Sequence, residues 1–191
     1  IVDSLPLLRK AKDVTIAEAK DALDSLAPTV SGLAARILGR AGEAARQAAK
    51  PVDAALARWW QAWLDRRAAS RTIEPDGSSD EALDECLGRV AWAASRLGVG
   101  GETLAAMAKA AGADRDAVRV RRSAVEALAS SPARKAAVAA LEGAVETSGP
   151  ETRALAAQAV AEDAPDKVVP LAEKLLADRW AFGRVAHEGV S

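Results

Sequence analysis

Among its 191 residues the chain has one cysteine, one histidine, one phenylalanine and no tyrosine. A lone Cys86 excludes an intrachain disulfide and predicts a reducing, cytoplasmic setting. With only His187 beside it, the chain lacks the ligands for a His/Cys zinc site and the partners for a linked Cys–His nucleophile. Gly98, Gly100 and Gly101 lack the preceding strand and the following lysine of a phosphate-binding loop. These shortages argue against an enzyme, and no cofactor or metal is assigned. No apolar run reaches 18 residues, so no membrane-spanning helix is expected. The net charge of −1 gives no overall attraction to nucleic acid or anionic lipid. Isoleucine is scarce, and the valines and isoleucines form no long run alternating with polar residues, so no strands are expected.

What remains is alanine, leucine and charge of both signs in mixed order, the composition of a helical chain with thin interfaces. Thr15 with Glu18 forms a capping box, predicting a helix to about Ala27 that Pro28 ends. A second helix should begin at Thr29, with a kink or break where Gly39 and Gly42 weaken it. Pro51 opens a long helix to about Ala69, carrying Val52, Leu56, Trp59 and Trp63 on one face and Trp60 beside them. The stretch 72–79, TIEPDGSS, reads as a loop and a domain boundary, followed by a second capping box from Ser78 and Glu81. This divides the chain into an N-terminal helical segment, 1–71, and a regular region, 80–191. Helices are expected there to Leu97, from Glu102 to Ala111, from Asp116 to Ala129, from Ala133 to Glu146, after Pro150 and after Pro165. A last, incomplete helix should start at Asp178. The opening at Ile1 without a methionine predicts a piece of a longer protein.

Two of these helices nearly repeat each other. Arg121, Ala124, Ala127 and Leu128 recur 32 residues later as Arg153, Ala156, Ala159 and Val160. A supersecondary unit recurring at this spacing marks a helical solenoid, in which stacking supplies the core that no single pair can bury. The arginine-then-alanine pattern resembles the first helix of HEAT repeats, especially the short bacterial PBS-lyase-type kind, most clearly over 114–178 within a span of 81–188. The resemblance implies a right-handed α-solenoid of antiparallel helix pairs and, most often, a non-catalytic scaffold that binds other proteins. It also implies first helices on the convex side and second helices along a concave groove. His187-Glu188 resembles one of the several pairs by which HEAT-like hydroxylases hold iron, but it stands alone here.

Four sets of residues are candidates for contact or chemistry. Trp59, Trp60 and Trp63 would anchor a protein partner if exposed, since tight interfaces rest on a few aromatic or arginine anchors. Arg134, Lys135, Lys167 and Lys174 would face the groove and add salt-sensitive contacts. Arg115, Arg119 and Arg122, at i, i+4 and i+7, form a stripe that would hold phosphates in the alternative reading, a nucleic-acid-binding HEAT-like module. Against that reading, Glu126 stands four residues after Arg122 as a ready ion-pair partner. Asp80, Glu81, Asp84 and Glu85 read as acids offsetting a helix dipole, and Cys86 as a small core residue.

Overall fold

The computed structural model describes residues 15–70, 81–110, 115–132 and 134–177. Residues 1–14, the loop at 72–79 with Ser78, Asp80, the helix expected from Asp178 and the His187-Glu188 pair lie outside the described residues. Among the described residues the chain is all-helical, with no strand. The elements are α1 (Ile16–Ala22), α2 (Pro28–Ala41), a 3₁₀ segment (Gly42–Ala48), α3 (Ala49–Ser70), α4 (Glu81–Leu97), α5 (Gly101–Ala108), α6 (Arg115–Ala129), a 3₁₀ turn (Arg134–Ala137), α7 (Val138–Thr147), α8 (Pro150–Asp163), a 3₁₀ turn (Pro165–Lys167) and α9 (Val168–Ala177). They fall into two compact units, Ile1–Thr103 and Leu104–Ser191, divided within α5. Helix α4 thus packs in the first unit, against α2 and α3.

In the first unit, α1 opens with the expected capping box: the Thr15 hydroxyl accepts from the Glu18 N–H, and the Glu18 carboxylate accepts from the Thr15 N–H at 2.8 Å. That backbone bond, with the Thr15 hydroxyl, holds the Glu18 carboxyl below its usual range. The helix stops at Ala22, five residues short of expectation, because neighbouring helices claim the carbonyl of Leu23. The Ser31 hydroxyl donates to that carbonyl at 2.9 Å and Arg58 Nη2 donates to it at 2.5 Å. Pro28, expected to end this helix, is the first residue of α2 instead, where its missing N–H has no intrahelical partner to lose.

Gly39 does not break α2. The helix runs through it to Ala41 and turns at Gly42, whose φ of 53° is open to glycine at little cost. Gly32 and Gly39 instead let α4 come close. An added Cβ at Gly32 would lie 3.1 Å from the Cys86 Cα, and one at Gly39 would lie 2.5 Å from Trp92 Cζ3 and 3.0 Å from the Ala93 Cα. Both contacts advance by seven residues in the same sense, so α2 and α4 run parallel. Beneath them Leu23, Leu38, Val52, Leu56, Leu87 and Val90 are fully enclosed.

In the second unit α6 packs on α7 and α8, and α8 packs on α7 and α9. The residues 32 apart share one fate: Ala124, Ala127 and Leu128 are buried, and so are Ala156, Ala159 and Val160. The helix expected from Ala133 begins as a 3₁₀ turn and becomes α-helical at Val138. In α9 Leu171 is buried and Val168 is exposed.

The glycines separate two effects that act in opposite directions. Gly39→Ala should destabilise the protein by about 1–3 kcal/mol through overpacking, despite alanine's better helix propensity. Gly143, inside α7 with nothing within 4 Å of an added Cβ, should give a gain of roughly 0.5–1 kcal/mol as Gly143→Ala. Urea unfolding followed by circular dichroism measures both.

Candidate partner-binding surface

Two of the three tryptophans on α3 are committed to the interior. Trp59 is 7% exposed and its Nε1 donates to the Ser31 Oγ at 2.8 Å, which closes a chain of polar contacts through Ser31 to the Leu23 carbonyl. Trp63 is 1% exposed and its Nε1 donates to Asp84 Oδ1 at 3.2 Å. Trp60 is half-buried and stacks on Trp63, with ring centroids 5.0 Å apart and planes 16° from parallel. The Arg67 guanidinium lies 4.7 Å from the Trp63 centroid, and that of Arg58 lies 5.3 Å from the Trp59 centroid. Of the three indoles, Trp60 alone is not buried, and it lies one turn from exposed Leu64.

Three of the basic candidates in the second unit, Arg122, Arg134 and Lys167, meet acids of their own chain. Arg134, half-buried, binds Asp163 through Nε and Glu162 through Nη1, the latter at 2.7 Å. The hydrogen bond to Asp163, and then the nearby negative charges, raise its guanidinium above its usual value. Lys167 Nζ donates to Glu142 Oε2 at 2.8 Å. Lys135 is exposed, and the side chain of Lys174 lies outside the described residues. In the arginine stripe, Arg122 pairs with Glu126 at 2.8 Å, Arg119 is half-buried, and the Arg115 side chain lies outside the described residues. Arg121, the repeated arginine, is buried and its Nη1 donates to the Ala110 carbonyl at 2.7 Å, just beyond the end of α5. It closes a helix end rather than facing a ligand.

Asp84 departs from the sequence reading. It is buried, holding Trp63 and lying 3.6 Å from Arg66, rather than offsetting a dipole in solvent. The signal was its place: Asp84, Leu87 and Ala91 follow at i, i+3 and i+7 on the apolar stripe of α4. Trp92 is the reverse case. It falls off that stripe and is 38% exposed, so it is an aromatic at the surface that the sequence reading did not single out. Among the described residues no group of three or more His, Cys, Asp or Glu side chains is placed to hold a metal ion.

Cys86 is a buried free thiol, and burial pushes its pKa up to about 12 from an ordinary 9.0. Above pH 9 the unfolded chain releases this proton while the native state retains it. Stability should therefore fall as pH rises from 9 toward 12, and Cys86→Ala should flatten that part of the profile. Urea midpoints at pH 8 and pH 10 compare the two proteins. A second expectation concerns the indoles. The triple variant Trp60→Phe, Trp92→Phe, Trp180→Phe keeps only Trp59 and Trp63, and its emission should be blue-shifted and resist acrylamide quenching. Comparison of the chain with protein-family models, with curated proteins and with solved structures finds no match.

Proposed function

We propose that this chain is a non-catalytic protein-interaction scaffold, a piece of a larger cytoplasmic protein, built from HEAT-like antiparallel helix pairs in a right-handed solenoid. The observation that carries this reading is the shared burial of residues 32 apart in α6 and α8, which lie against each other with α7 packed on both. Each repeated helix turns the same alanine face inward, as a stacked repeat must if its neighbour is to complete its core. The buried Arg121 at the Ala110 carbonyl supports it too, because an arginine that closes the turn before its own helix serves the stack.

The alternative, a nucleic-acid-binding module using Arg115, Arg119 and Arg122, draws less support, since Arg122 already pairs with Glu126. The two readings separate by fluorescence anisotropy on a labelled DNA duplex. The scaffold reading expects no saturable binding near an ionic strength of about 0.15 M. Affinity that falls steeply with salt, and is lost when Arg115, Arg119 and Arg122 become Glu, would transfer the proposal to the nucleic-acid reading.

A further inference from the structure

The close approach of α2 and α4 creates an outer seam where arginines flank an exposed tryptophan. Arg36 stands four residues after Gly32 and three before Gly39, so it lies along the edge of α2 that meets α4. Arg40 follows one turn later, about 6 Å further along the helix. On α4, Trp92 and Arg96 are likewise one turn apart on the outer edge, and the Arg89 side chain reaches back over Gly32. Arg36, Arg40 and Arg96 are all exposed and have no hydrogen-bond or ion-pair partner among the described residues. Helix α2 contains no acidic residue, and Glu85, two turns before Trp92 on α4, is held by Arg89. In the second unit Arg122, Arg134 and Lys167 are neutralised internally, while Lys109 and Lys135 are exposed.

Trp92 gives the seam its apolar element and its direction. The Cε3–Cζ3 edge of the ring is the one that lies over Gly39. The indole N–H lies on the opposite edge of the ring and has no partner among the described residues. The seam thus offers a half-covered aromatic ring ringed by groups that only donate: one indole N–H and three guanidiniums. Such a set is complementary to carboxylates, which guanidinium forks bind in bidentate fashion.

We propose that the outer α2–α4 seam docks an acidic segment of a partner protein, one or two helical turns long, with Asp or Glu residues flanking an apolar side chain that rests on Trp92. The proposal rests on the scaffold reading and specifies where and what it binds. Nucleic acid suits the seam less well. Three unpaired arginines would neutralise about three phosphates, too few for the salt-linked affinity of a nucleic-acid site on a chain of net charge −1. A single indole, moreover, provides no succession of stacking platforms for bases.

Selection from a random dodecapeptide library displayed on phage, against the whole chain, tests this. Enriched peptides should carry two or more acids around a Leu, Phe or Trp. Their synthetic versions should bind about tenfold more weakly to the triple variant Arg36→Glu, Arg40→Glu, Arg96→Glu, and should lose affinity as salt is raised. All three positions are exposed, so circular dichroism should show the variant folded; Trp92→Phe, which keeps the ring but removes the N–H, should weaken binding less. If enriched peptides bind the triple variant as well as the parent, the seam assignment fails while the scaffold reading stands. If no peptide is enriched, both fail. If single-stranded oligo(dT) binds more tightly than any peptide and the same three substitutions abolish it, the seam is a nucleic-acid site and the protein partner is wrong.

Discussion

The first unit depends on how near α2 can come to α4. Gly32 and Gly39 carry no side chain where Cys86 and Ala93 pass, so the two helices meet almost backbone to backbone. An interface of that kind has little area per residue, and dispersion compensates only if contact is continuous. The bulkiest side chains of that core come from α3, where Trp59 and Trp63 are both buried. The same approach also fixes what stays outside. With Ser31, Ala35 and Leu38 turned inward and the glycines against α4, Arg36 and Arg40 have only solvent to face.

Much of this could be read from residue order alone, for reasons that differ by element. Helical class followed from alanine content and the absence of alternating patterns, and the capping box at Thr15 and the turn at Gly98 follow strong local rules. The 32-residue echo located the helices around Arg121 and Arg153 because the same small residues must face the same neighbour. Local rules failed where another helix intervened. Pro28 and Leu23 could not be placed correctly without Arg58, which is 35 residues beyond Leu23 and reaches back across the unit. Gly39 looked like a helix breaker because propensity counts the cost of glycine in a lone helix and not its use against a partner. At the candidate surface, the tryptophans of α3 were legible as apolar, but which indoles were covered depended on Ser31 and Asp84, both supplied by other helices.

Three buried polar groups among the described residues join one element to another. Ser31 is fully enclosed between α1 and α3; Asp84 connects α4 to α3; Arg121 connects α6 to the end of α5. Each replaces water with a partner from a different element, which is the condition for burying such groups without a large penalty. Interfaces lined with alanine are smooth and tolerate sliding. A directional bond at one point per junction sets the register that shape alone would leave loose.

The junction at Leu23 has a consequence for how the sequence can drift. Both groups that converge there, the Ser31 hydroxyl and the Arg58 guanidinium, bind a main-chain carbonyl, which every amino acid possesses. The bond therefore places no polar requirement on residue 23, which is free to exchange among aliphatic side chains of similar volume. Residues 31 and 58 have no such freedom, since each supplies its donor from the side chain. Among relatives of this chain the junction would be recognised by a serine and an arginine 27 positions apart, and hardly at all by the residue they both hold.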